Sequence, residues 1–112
     1  VTSQYTIEVS EIAVQCLQDI ESYKSDFIGS DRAAALVENL LNDSVLNIME
    51  DPERYRFNPH LSELGLMLRE RLDVETEHRV LYHFDGSHIE ILLFVNMKQD
   101  FQKMLYRYNI LK

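Results

Sequence analysis

His78-Arg79-Val80-Leu81-Tyr82-His83-Phe84, then Asp85-Gly86-Ser87, then His88-Ile89-Glu90-Ile91-Leu92-Leu93-Phe94-Val95-Asn96, is the stretch that decides the fold. Arg79 to Phe84 and His88 to Asn96 are two strand-like runs on either side of a turn signal. Aspartate–glycine suits a two-residue type I′ hairpin, which needs positive φ at both central positions. With Asp85 and Gly86 at its centre, Phe84 faces Ser87, Tyr82 faces Ile89 and Val80 faces Ile91. Side chains alternate across a strand. One face of the ribbon then carries Val80, Tyr82, Phe84, Ile89, Ile91, Leu93 and Val95, and this is the predicted core face. The other carries Arg79, Leu81, His83, His88, Glu90, Leu92, Phe94 and Asn96, mixing charge with apolar surface.

Upstream of the ribbon the period changes. Tyr5, Ile7 and Val9 alternate with Thr6 and Glu8, which predicts a short half-buried strand. Ser10 can cap a helix, with Glu11 favourable in its first turn. Ile12, Cys16, Ile20, Tyr23 and Phe27 recur at helical spacing, and Gly29 ends that helix. Ser30 or Asp31 starts a second helix whose stripe is Ala33, Leu36, Val37, Leu40, Leu41, Ser44, Val45, Ile48 and Met49. Pro52 stops it, because the residue before proline is pushed out of the helical region. So short a turn requires the two helices to pack as a hairpin. Pro52 to Gly65 reads as an irregular connection held on the core by Tyr55, Phe57 and Leu61. Leu66 to Leu72 reads as a further strand, and Asp73 to Thr76 as an acidic turn. Downstream, Asp100 can cap a short last helix from Phe101 to about Tyr108.

The expected fold is therefore α+β: an N-terminal strand, an α-helical hairpin packed on one face of a small, mainly antiparallel sheet, and a short C-terminal helix. At 112 residues it should form one domain spanning the whole chain. Cys16 is the lone cysteine, so no disulfide can form within the chain, which fits a reducing cytoplasm. The longest apolar run, Ile91 to Val95, is far too short to cross a bilayer, and the N-terminal stretch lacks the pattern of a secretory signal. A cytoplasmic location and no membrane partner are expected. The formal net charge of −8 argues against nucleic-acid binding. Its distribution is uneven, however. Val1 to Glu50 holds nine acids against Lys24 and Arg32, whereas acids and bases balance from Met67 to Lys112.

In order and spacing, several pieces are similar to the RelE/ParE toxin superfamily, the plasmid-stabilisation toxins of type II toxin–antitoxin pairs. These are Tyr5-Thr6-Ile7-Glu8-Val9-Ser10, Asp19-Ile20 with Tyr23, Ala33-Ala34-Ala35-Leu36, Pro52, Leu61, and Leu68-Arg69-Glu70-Arg71-Leu72. The most specific are His78-Arg79-Val80-Leu81-Tyr82, Asp85-Gly86, Ile89-Glu90-Ile91-Leu92 and Asn96-Met97-Lys98-Gln99-Asp100-Phe101. The resemblance covers nearly the whole chain. It implies a toxin silenced by a cognate antitoxin that wraps around it, with one of two targets. RelE-like members cut messenger RNA in the ribosome, without a metal, and ParE-like members poison DNA gyrase. The chain departs from the family in being acidic. It also has Asn96 and Lys98 where many members place a histidine and an arginine on the last strand. Lysine lacks the planar fork of arginine, and asparagine carries no proton at neutral pH. Both changes weigh against RNA cleavage.

Cleavage by attack of the ribose 2′-OH needs a base, cations for the phosphorane charge, and an acid for the leaving oxygen. Arg79 matches the strand arginine of the family and, with Lys98, is the catalytic candidate if the chain is a ribonuclease. Arg69 and Arg71 share a parity on the neighbouring strand. With Arg79 and Lys98 they could hold an anionic partner, or pair with Glu70, Glu75, Glu77 and Glu90. His83 and His88 should lie opposite each other beside the turn, about 13 Å from Arg79 by strand rise, too far for one active site. A zinc site of His83, His88 and His60 lacks tight ligand spacing. Tyr106 or Tyr108 could act as acid or base, although packing is the commoner role. Cys16 lies in an apolar stripe and reads as core. No glycine-rich phosphate loop or hydrolase elbow is present, and no cofactor or metal is expected.

Leu81, Leu92 and Phe94 on the open face need a cover. An antitoxin segment is the family expectation, and a homodimer would serve equally. Three readings follow: a gyrase-directed toxin, which tolerates Asn96 and is slightly favoured; a ribosome-dependent endoribonuclease; and a non-toxic binding domain on the same fold.

Overall fold

The computed structural model describes residues 5–98 together with Lys103 and Tyr106. Its elements run β1 (Thr6–Val9), α1 (Glu11–Ile28), α2 (Ser30–Glu50), α3 (Pro59–Glu63), β2 (Arg69–Asp73), β3 (His78–Phe84) and β4 (His88–Asn96). The fold is α+β, with one four-stranded sheet in the order β1-β4-β3-β2. β1 pairs with β4 in parallel, and the other two pairings are antiparallel.

Local chemistry sets the helix ends as expected. The Ser10 hydroxyl accepts the Ala13 amide at 3.0 Å and caps α1. Gly29 closes α1 and opens α2 as the one residue between them, at φ 89° and ψ 157°. That region of backbone space is essentially restricted to glycine. Ala33, Val37, Leu40, Ser44 and Ile48 form the buried line of α2. On α1 the buried residues are Ala13, Cys16 and Leu17. Tyr23 and Phe27, expected on the core stripe, are instead 64% and 70% exposed.

The connection after α2 is more ordered than its sequence suggests. Asn58 caps α3 by accepting the Leu61 amide, and Phe57 pairs with Arg69 as a single antiparallel bridge. β2 begins at Arg69 rather than Leu66. Tyr82 ties the sheet to the end of α2: its hydroxyl donates to the Pro52 carbonyl at 2.6 Å, and burial pushes its pKa up.

The β3–β4 hairpin departs from its expected register in two places. First, Phe84 pairs with Ile89 and Tyr82 with Ile91. The Asp85 amide donates to the His88 carbonyl, so Gly86 and Ser87 are the central turn residues. Gly86 takes positive φ, while the Asp85 carboxylate accepts the amides of Ser87 and His88. Those amides hold that carboxyl below its usual pKa range. Second, the register shifts between Leu81 and Tyr82, so that Leu81 faces Leu93, Val80 faces Phe94 and Arg79 faces Val95. A bulge inserts one residue into β4 and reverses the side on which later side chains emerge. Phe94 therefore joins Val80, Tyr82, Ile89, Ile91, Ile7 and Val9 on one face, while Leu93 and Val95 join Leu81 and Arg79 on the other. The first face carries Arg71, whose guanidinium reaches Ser44 of α2, so it is the face the helix hairpin covers.

The predicted last helix from Phe101 to Tyr108 lies outside the described residues except at Lys103 and Tyr106, which are helical and exposed. Among the described residues, no helix is long and apolar enough to cross a membrane.

Candidate functional site

Arg79 emerges from the middle of the sheet on the face away from the helix hairpin, with its side chain 24% exposed. The strand pairing explains this position. Arg79 lies beside Leu72 on β2 and Val95 on β4, and both share its side. The next residue of that parity on β2 is Glu70, buried at 4%. Its carboxylate is the hub of a polar cluster. Arg79 Nη1 lies 3.5 Å from Oε2, Arg56 Nη2 lies 3.4 Å from Oε1, and the Asn58 amide donates to Oε2. A carboxylate withdrawn from water this far needs such partners. Asn58 serves twice, because its Oδ1 also caps α3.

The other expected cations do not join this cluster. Alternation along β2 turns Arg69 and Arg71 to the opposite face from Glu70. Arg69 Nη1 donates to the carbonyls of Tyr55 at 2.6 Å and Glu53 at 3.2 Å, and its guanidinium lies 4.1 Å from the Phe57 ring centre. Arg71 Nη1 donates to Ser44 Oγ at 3.0 Å and to Asp73 Oδ2 at 3.2 Å. Asp73 is itself shifted. Burial raises its pKa, but the Thr76 amide and Arg71 outweigh this and hold it below the usual range. Lys98 is exposed, with its ammonium 3.8 Å from Glu77. The side chain of Asn96 accepts the Lys98 amide at 2.8 Å. The predicted four-cation cluster is therefore not formed. Arg69 and Arg71 brace the helix side, and Arg79 stands with Glu70 on the other.

The expected apolar docking patch is also corrected. Leu81 is fully buried and Phe94 is 1% exposed, both inside the core, while Leu92 at the bulge is half-buried. The bulge carried Phe94 under the helices, and Leu81 packs with Leu93 and Val95. Nor do the two histidines beside the turn face each other. His83 is opposite Glu90, and His88 lies beside Thr6, its Nδ1 2.7 Å from the threonine hydroxyl. Tyr106 is 57% exposed, so the packing role expected of it is not met. Tyr108 lies outside the described residues. Cys16 is buried, as its stripe predicts.

Glu70 entered the sequence reading only as one of four acids that could pair with the cations, not as the hub of a buried cluster. The signal was present in Leu68-Arg69-Glu70-Arg71-Leu72. If the arginines share one side, the glutamate shares the other with the leucines, and such a carboxylate has to find cations. Chemically, the cluster joins two guanidiniums to one carboxylate. It can orient Arg79, but the carboxylate already accepts hydrogen bonds from Arg56 and Asn58 beside its ion pair with Arg79. No histidine adjoins it in the strand register.

No protein-family model matches the sequence, and no curated protein matches it. Among solved structures, a chain from the chromosomal ParDE TA system from P. aeruginosa superposes with a TM-score of 0.72 at 16% identity. The match covers 87% of this chain and 100% of that one.

Proposed function

Because the chain carries a ParE/RelE-type toxin fold, we propose that it is the toxin half of a type II toxin–antitoxin pair, acting on DNA gyrase in the cytoplasm. Support for the pair comes from the strand, helix-hairpin and sheet order shared over most of the chain with a ParDE chain. The observation that carries the choice of target is the Arg79–Glu70 ion pair at 3.5 Å. A ribonuclease that cleaves through the 2′-OH needs surplus positive charge where phosphorane charge develops, with a proton carrier alongside. Here the central arginine faces a buried carboxylate, Arg69 and Arg71 are turned to the other side, and Asn96 stands on the last strand. A toxin that works by binding and blocking an enzyme needs none of that machinery.

Induced expression in bacteria without any antitoxin tests the reading. Growth arrest accompanied by a DNA-damage response, and loss of supercoiling by purified gyrase on adding the chain, are the expected results. Arrest accompanied by cut messages would move the assignment to the ribosome-dependent ribonuclease. Absence of arrest from a soluble, folded chain would leave a protein-binding domain on a toxin fold.

A further inference from the structure

We infer that the open face of the sheet beside the β3–β4 turn binds a divalent transition-metal ion, zinc in the first instance, through His88, Glu90, Glu8 and His83. Strand pairing gathers the four. Glu8 of β1 is the register partner of Glu90 on β4, and His83 of β3 is its partner on the other side. His88 lies two residues before Glu90, so alternation turns it to the same face, away from the buried Ile89 and Ile91. Glu90 is thus flanked on three sides by groups that ligate metals. Two strand spacings, about 10 Å, separate Glu8 from His83, a span that a carboxylate and an imidazole bridge through one ion above Glu90. His60, on α3, is not part of the group.

Two of the four already stand as a ligand pair. His88 Nε2 lies 4.0 Å from Glu8 Oε1, with the side chains 39% and 61% exposed. Groups held about 2.1 Å from a tetrahedral zinc stand roughly 3.4 Å apart, so a small rotation of either side chain closes the gap. The other ring nitrogen is oriented as well: His88 Nδ1 lies 2.7 Å from the Thr6 hydroxyl. An oxygen there that accepts the Nδ1 proton leaves the Nε2 lone pair for a metal, the support that ligating histidines usually have. Charge also favours a cation. Glu8 and Glu90 face the same side on adjacent strands, about 5 Å apart by strand spacing, and repel each other. The ion pairs that arginine and lysine make on this sheet go instead to Glu70, Asp73 and Glu77. Two imidazoles in the set select a zinc-like ion over magnesium or calcium, which take oxygen ligands. Among the described residues no three such side chains converge as they stand. The ion therefore gathers exposed side chains, which makes the site weaker than a buried structural one.

Zinc chloride titrated into the untagged full chain by isothermal calorimetry tests the site. One zinc should bind per chain with a Kd on the order of 10 μM, and magnesium at the same concentrations should not bind. His88→Ala and Glu90→Gln should each weaken zinc by at least about tenfold, while His60→Ala leaves it unchanged. All three positions are at least partly exposed, so the variants should keep the wild-type circular dichroism spectrum. Thermal unfolding supplies a second reading: zinc should raise Tm in the wild type and not in Glu90→Gln. Wild-type zinc affinity in both His88→Ala and Glu90→Gln would place the metal elsewhere and overturn the proposal. So would a lack of binding up to about 1 mM zinc. Magnesium bound as tightly as zinc would reduce the site to its two carboxylates. One zinc to two chains, with dimers in sedimentation, would replace it by a bridge between copies. The assay needs neither a target nor growth arrest, so its outcome is independent of the toxin reading.

Discussion

Glu70 shows how one buried charge can govern a surface. Its carboxylate is held by Arg79, Arg56 and Asn58, so removing one partner leaves the others in place. Arg79→Ala should therefore cost about 1–2 kcal/mol, below the 3–5 of a fully sequestered pair that loses its only counter-ion. Urea unfolding measures it. A loss below about 0.5 kcal/mol would mean that the pair contributes little, as exposed pairs do. His78 makes a second residue-scale case. It is 1% exposed, and its Nδ1 has no hydrogen-bond partner among the described residues. Burial lowers its pKa and Lys24 adds to this, against the raising influence of the Thr76 backbone, Asp73 and Glu77. A histidine kept neutral in the fold binds its proton more weakly than in the unfolded chain. Stability is then complete above the unfolded value of 6.5 and falls as pH drops below it. Urea midpoints between pH 8 and pH 5 should decline in the wild type, and the decline should be shallower in His78→Gln. Parallel profiles for the two proteins would assign the acid sensitivity to other groups.

Elements here are decided by their ends and their irregularities. Gly29 links α1 to α2 alone, in a conformation that side chains rarely adopt, although nothing lies within 4 Å of where a Cβ would stand. Gly29→Ala should consequently lose about 1–3 kcal/mol through backbone strain rather than through a clash. Thermal unfolding would report a fall of several degrees in Tm, and an unchanged Tm would show that the junction can relax to a different path. The β4 bulge acts at the same scale. By admitting one extra residue, it puts Phe94 under the helices and Leu93 and Val95 on the far side, so the sheet has buried aliphatics on both faces. The far face is open at the turn end, where Thr6, Glu8 and His83 are exposed, and along the β2 edge, where Leu72 is exposed beside Arg79.

On the scale of the whole molecule, charge is the dominant feature. The helix layer is strongly acidic, and the arginines of β2 and β3 are each engaged with carboxylates, carbonyls or a hydroxyl of the same chain. Polyanion affinity comes mainly from cations that displace counterions from phosphates. The chain should accordingly leave the anisotropy of a labelled single-stranded RNA unchanged up to about 100 μM protein at near-physiological salt. Saturable binding below that concentration would reverse the preference for gyrase over the ribosome.

How much of this could be read in advance depends on the range of the interaction. Ser10, Gly29 and Pro52 mark the helix ends through contacts within a few residues. The stripe from Ala33 to Ile48 is a period written into one segment, so the helix hairpin and the α+β class were both legible. Arg79 pointing away from the helices also followed from alternation, since β3 itself has no bulge. The side taken by Leu93, Phe94 and Val95 was not legible, because Leu92-Leu93-Phe94-Val95 is uniformly apolar and contains no alternation to fix a register. Only pairing across the sheet placed the bulge. Only that pairing, together with the bridge at Phe57, brought Asn58 and Arg56 to Glu70. A segment's own sequence encodes its period and its caps. Which segments meet, and therefore which charges neutralise one another, is decided where residues far apart in the chain compete for the same buried space.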